Sequence, residues 1–194
     1  HLNIDGGGGR TRFHQGDIFE SAGVNTSEVF GAIDPQFSKT LNGTGHHLWA
    51  TGISLIIHPL SPKIPTVHAN FRMIHQGDKV WFGGGADLTP FYPIPEDFSY
   101  FHSVWQQACA PYQCYGEMKK ECDQYFVNHH RGNEMRGIGG IFFDHYHSGN
   151  LDNDMNRVMH LGNHFIKSYF PIVEKRLADP WTKEDEDFQL HRRG

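Results

Sequence analysis

In "TVHANFRMIH" (66–75), His68, Asn70 and Arg72 alternate with Val67, Ala69, Phe71 and Met73. This two-residue period belongs to a β-strand with one apolar and one polar face. The polar face carries a proton carrier, an amide and a guanidinium able to grip a carboxylate with two parallel hydrogen bonds. In "GISLIIH" (52–58), Ser54 and His58 stand four apart and share a side of a second strand. The link "PLSPKIP" has three prolines, which forbid helix and stiffen a reversal. Antiparallel pairing would then gather Ser54, His58, His68, Asn70 and Arg72 on one sheet face. Five polar groups exceed what an ordinary solvated face needs, so a site is expected there. "WFGGGADLTP" (81–90) adds three glycines, which admit close approach to the backbone, and Asp87 just beyond them after Ala86.

Other groupings carry less. "HHRGNEMRGIGG" (129–140) mixes His130, Arg131, Glu134 and Arg136 at an expected helix end, where positive charge in excess of capping suits a polycarboxylate. "DGGGGRTR" (5–12) lacks the phosphate-loop pattern, leaving Arg10 and Arg12 either to grip carboxylates or to lie in a flexible surface segment. His145 with His147 and His160 with His164 are spaced for one face but lack a recognised zinc signature. A Met159–His160 haem-ligand pair is weaker still. Cys109, Cys114 and Cys122 contain no C-x-x-C, and read as small helix hydrophobes in a reducing compartment.

The elements that must position these groups follow from pattern. Strands are expected at 52–58, 66–74 and 79–84, after a weakly patterned segment 1–50. Helices follow: 95–110 with Phe98, Phe101, His102, Trp105 and Cys109 on one face, and 116–130 with Met118, Cys122, Phe126 and His129 or His130. "RGIGGIFFDHYH" gives another strand, 151–177 a long helix kinked before Pro171, and Thr182 with Asp185 a capping-box start for the last helix. Strands first and helices later predict an α+β fold, as one domain over 1–194. The net charge of −5 excludes a global field for nucleic acid or an anionic membrane. "ISLII" is too short to cross a bilayer, no signal peptide is visible, and a cytoplasmic location is expected.

Taken together, "AGVN" (22–25), "GISLIIHPLSPKIPTVHANFR" (52–72), "VWFGGGADLTPFY" (80–92), "HHRGNEMRGIGGIFFD" (129–144), "SYFPIVEKR" (168–176) and "FQLHRRG" (188–194) resemble the oxygen-dependent coproporphyrinogen III oxidase family over nearly the whole chain. "FFDH" departs from the family's acidic pair at His145, "HRGNEMRG" is one residue long, and "KKECDQYF" lacks a usual Trp. The resemblance implies a large flat antiparallel sheet with helices on both faces, in a homodimer, and a chain incomplete at its C-terminus. It implies oxidative decarboxylation of two propionates of a reduced tetrapyrrole to vinyls, with dioxygen as co-substrate and carbon dioxide and hydrogen peroxide released. By position it implies His68 as proton donor, Asp87 as the carboxylate meeting pyrrole N–H groups, and Ser54, Asn70, Phe71 and Arg72 as substrate contacts. No cofactor or metal is expected, although relatives have been assigned a divalent metal at positions matching His58, His68, His102 and His130. The rival readings are a metal-dependent oxygenase using those four histidines and a non-catalytic tetrapyrrole-binding protein.

Overall fold

The computed structural model describes residues 6–41 and 43–193; Asp5, Asn42 and Gly194, in segments singled out above, lie outside the described residues. Strands β1 (Gly6–His14), β2 (Phe19–Ala32), β3 (His47–Pro59), β4 (Thr66–Gln76) and β5 (Lys79–Thr89) form an antiparallel meander, and β8 (Gly139–Tyr146) joins beside β5. The proline-rich link between β3 and β4 makes the expected reversal, and those strands pair from Leu48–Gln76 to Ile57–Val67.

The first fifty residues are more regular than their pattern suggests. Four glycines contribute no side-chain alternation, yet β1 pairs with β2 from Gly6–Phe30 to His14–Ala22. Backbone hydrogen bonds rather than burial hold β1, whose residues are almost all exposed on both faces. A single turn, α1 (Pro35–Ser38), follows, with the Asp34 carboxylate accepting from the Gln36 and Phe37 amides at 2.7 and 3.2 Å.

Strand parity divides the sheet. Val67, Ala69, Ala86, Leu88 and Ile141 are at most 3% exposed, and pack in the main core with residues of α2 (Pro95–Cys109), α4 (Leu151–Asn163) and α5 (Phe165–Arg176). Phe101, Trp105, Leu161, Tyr169 and Ile172 supply the helical side of that core. Each such large side chain contributes roughly 1.5–3 kcal/mol of burial. Helix α3 (Tyr115–Tyr125) packs along β8, and α6 (Lys183–Arg193) lies by the Pro59 end of β3, where the Gln189 amide donates to the Pro59 carbonyl at 3.3 Å.

Two helices end differently from the sequence pattern. Helix α3 stops at Tyr125, short of the expected 130. The chain then forms a small hairpin of β6 (Val127–Asn128) and β7 (Glu134–Met135), turned by Gly132 and Asn133 at φ 68° and 63°. The segment 151–177 breaks at His164, between α4 and α5, and not at Pro171. Pro171 has no N–H for the Lys167 carbonyl, and the Tyr100 hydroxyl donates to that oxygen instead at 2.9 Å. Helix α6 starts as expected: the Thr182 amide donates to Asp185 Oδ2 at 2.8 Å and the Asp185 amide to Thr182 Oγ1 at 3.3 Å.

Candidate active site

Register assembles the cleft. Ser54 lies directly opposite Asn70, and His68 directly opposite Asp87, so their side chains share the sheet face away from the main core. A small cavity of about 120 Å³ is lined by Ser54, His68, Asn70, Arg72, Gly84, Gly85 and three aromatic residues, Tyr125, Phe126 and Phe142. Tyr125 stacks on Phe142 at 4.1 Å, and Phe126 stands edge-on to it at 5.8 Å. His68 also lines a neighbouring cavity of about 370 Å³ with Ile56, His58, His130 and four arginines, Arg131, Arg136, Arg192 and Arg193. One face therefore carries an aromatic-walled slot beside a cationic chamber, with His68 on the boundary.

The charged floor groups are already paired with each other. The Asp87 carboxylate is 2% exposed and accepts from Arg136 Nη2 at 2.7 Å on both oxygens and from Arg136 Nε at 3.2 Å. His68 Nδ1 stands 3.4 Å from Asp87 Oδ1. The Arg136 guanidinium lies over the Phe126 ring at 4.0 Å, and Phe126 is edge-on to His68 at 6.2 Å. Arg72 Nη2 pairs with Asp144 Oδ2 at 2.8 Å, and its Nη1 donates to Asn70 Oδ1 at 3.0 Å. Neither ion pair follows from spacing in the sequence, although Arg136 lies in the cationic segment 129–140. The triple glycine serves the same packing. A Cβ on Gly83 would lie 2.6 Å from Asp144 Oδ1 and 2.9 Å from Arg72 Nε. One on Gly85 would collide with the Ile141 carbonyl of β8.

Ser54, His68, Asn70 and Arg72 meet in the slot, His58 lies in the chamber, and Asp87 sits beneath Arg136. The Phe71 ring does not line the slot. Its parity turns the ring to the core face, 6.5 Å from Phe143. The four candidate metal ligands are not gathered either. His58, His68 and His130 line one chamber, whereas His102 Nδ1 is 2.8 Å from the Tyr115 hydroxyl. Among the described residues no three His, Cys, Asp or Glu side chains cluster closely enough to hold a metal, so these four do not fit a joint site. Burial lowers the pKa of His58, with Arg193 adding to the effect and Glu20 opposing it. His102 is lowered by burial first and by Lys119 second. Both rings therefore resist protonation. Arg193 also pairs with Glu20, and Arg192 with Glu134 at 3.0 Å. His145, the departure noted above, takes a left-handed φ of 54° and stacks on Trp81 at 6.2 Å.

Fold and cleft define an α+β protein with an ion-paired, aromatic-walled cleft on an antiparallel sheet. The family model described as coproporphyrinogen III oxidase matches residues 2–194. The chain belongs to that family. It is 43% identical over 223 residues to the oxygen-dependent coproporphyrinogen-III oxidase of Prochlorococcus marinus (strain MIT 9515), covering 100% of this chain and 65% of the relative. It is 44% identical over 193 residues to the oxygen-dependent coproporphyrinogen-III oxidase of Rickettsia akari (strain Hartford), covering 97% of this chain and 68% of the relative. The chain thus spans about two thirds of the length of these curated relatives.

Proposed function

We propose that this chain carries the substrate cleft of an oxygen-dependent coproporphyrinogen oxidase. In that reaction each propionate arm of the reduced macrocycle loses carbon dioxide and a hydride equivalent to become vinyl, while dioxygen and one proton become hydrogen peroxide. The observation that carries the reading is the shared sheet face: Ser54, His68, Asn70, Arg72 and Asp87, fixed by the β3–β4–β5 register, beside an arginine-rich chamber. Across β3, β4, β5 and β8 the floor spans three strand spacings, ~14 Å, and His68 to Arg72 runs ~13 Å along β4. Such a floor suits a wide macrocycle lying over Asn70, with acidic arms toward Arg72 and the chamber.

In this reading Asp87 faces ring N–H donors, Arg72 pairs a carboxylate, and His68 exchanges the proton that each turnover consumes. Ser54 and Asn70 fix orientation by hydrogen bonding, and Tyr125, Phe126 and Phe142 keep water from one side of the ring. The electron-rich porphyrinogen supplies the electrons for dioxygen, so no cofactor is required and none enters the scheme. We extend the reading to a homodimer and a cytoplasmic setting. The outer edge of β1 has no strand partner among the described residues, Phe13 is 66% exposed on it, and the three cysteines are free thiols. No helix among the described residues is long and apolar enough to cross a membrane.

The test is incubation of the protein with coproporphyrinogen III in air, following vinyl products by chromatography after oxidation to porphyrins. Air-dependent formation of the divinyl product, unchanged after exhaustive chelation, is expected. Binding of the macrocycle without any product in air would return the chain to a non-catalytic binder. Loss on chelation with recovery on one divalent metal would favour the metal-dependent oxygenase.

A further inference from the structure

Asp87 cannot receive ring N–H groups while Arg136 covers it. With 2% of its surface exposed and both oxygens accepting from one guanidinium, the carboxylate is closed off by Arg136. Removing Arg136 without a substitute would strand a buried anion, which is strongly unfavourable. The guanidinium itself is differently placed. It is 35% exposed, lines the chamber that holds Arg131, Arg192 and Arg193, and rests on the Phe126 face at 4.0 Å. Its backbone is pinned, because the Arg136 amide donates to the Phe126 carbonyl at 3.0 Å at the base of the β6–β7 hairpin. A side-chain rotation about that fixed point, across the ring face, carries the charge from Asp87 into the chamber with no movement of the hairpin.

We propose that Arg136 is a specificity-determining residue that exchanges partners: it holds Asp87 in the free protein and passes to a ligand carboxylate when ring N–H donors take over Asp87. The inference rests on the tetrapyrrole reading above and adds a selection rule to it. A ligand must offer both signs of the exchange, N–H donors for the anion and a carboxylate for the displaced cation. An alkyl-substituted ring lacks the second. A fully oxidised porphyrin weakens the first, because two of its four ring nitrogens present lone pairs to the carboxylate.

The test compares wild type with Arg136→Met, which keeps length and loses charge. Two reduced rings are used under anaerobic conditions, coproporphyrinogen III and octaethylporphyrinogen in dilute detergent. Exchange predicts opposite signs. The carboxylated ring binds Arg136→Met at least tenfold more weakly, while the alkyl ring binds it at least threefold more tightly, since Asp87 no longer has to be released. Equal weakening for both rings would reduce Arg136 to a structural role and overturn the proposal. If wild type binds coproporphyrinogen III and the signs do not oppose, the exchange alone fails. If wild type binds neither ring, the tetrapyrrole reading fails and takes the exchange with it. Should Arg136→Met not fold, Arg136→Lys serves, because it keeps the charge but not the two-oxygen grip. It must retain the preference for the carboxylated ring, and loss of that preference counts against a charge-based exchange.

Discussion

Asp87→Asn separates chemistry from folding at the most buried charge of the cleft. The carboxylate accepts from Arg136 at 2.7, 2.7 and 3.2 Å, and His68 Nδ1 stands at 3.4 Å. An amide of the same size keeps one acceptor oxygen for Arg136 and turns its NH2 group toward a second donor. Losing a hydrogen bond to a charged group costs about 1.5–3 kcal/mol when the partner stays buried. Arg136 is 35% exposed and can turn to water, so the lower end applies, about 1.5 kcal/mol. For a chain of this length that corresponds to a fall in melting temperature of about 3–6 °C. Catalysis should suffer more. In the proposed reading the charge faces the reacting ring, and removing it costs on the order of 3 kcal/mol in the transition state, a hundredfold or more in kcat. The assay pairs circular-dichroism melts with turnover of coproporphyrinogen. A melting temperature lowered by more than about 10 °C would make Asp87 chiefly a structural anion. Unchanged turnover would remove it from the chemistry.

The remaining expectations are narrower. Arg72→Ala removes the cross-strand partner of Asp144 and the carboxylate clamp together, so KM should rise at least tenfold; a change confined to kcat would contradict the clamp. Because His58 and His102 have lowered pKa values when folded, the unfolded chain binds more protons below its own histidine pKa of about 6.5. Their contribution to stability is full above that pH and is lost as pH falls below it, at no more than about 1.4 kcal/mol per pH unit for each ring and less with solvent screening. The melting temperature of wild type should fall between pH 7.5 and 5.5, and His102→Gln should flatten the slope; a parallel slope in the variant would refute the assignment. Gly85→Ala should cost about 1–3 kcal/mol, since its methyl meets the Ile141 backbone of β8, and an unshifted urea midpoint would show that the strand yields freely.

How much of this was legible in the sequence depends on distance along the chain. The alternation in β4 placed His68, Asn70 and Arg72 on one face, and the prolines after β3 supplied the reversal that brings Ser54 opposite Asn70. The same alternation put the Phe71 ring on the core face. Local rules also found the Thr182–Asp185 cap and the Phe101–Trp105–Cys109 stripe. They could not find β1, because glycines leave no alternation to read. Nor could they find that the helix runs through Pro171, because the carbonyl facing Pro171 is satisfied by Tyr100, 67 residues away. Arg136 and Asp87 are 49 residues apart, and no spacing rule connects them.

The missed ion pairs change how the cleft has to work. A floor with a bare anion and a bare cation would bind any small ion of either sign, and each charge would be held by water that a ligand must displace. Pairing Asp87 with Arg136 and Arg72 with Asp144 fixes four charged side chains against strands whose register is set by backbone ladders. A site on strands holds its geometry more tightly than one on loops. A single carboxylate or a single amine then gains little, because each new contact costs an existing one of similar strength. Only a ligand that carries acidic arms and inward N–H donors at the right separation can exchange both halves of a pair at once. In the proposed exchange, the discrimination comes from contacts that must be broken together, not from the strength of any one of them.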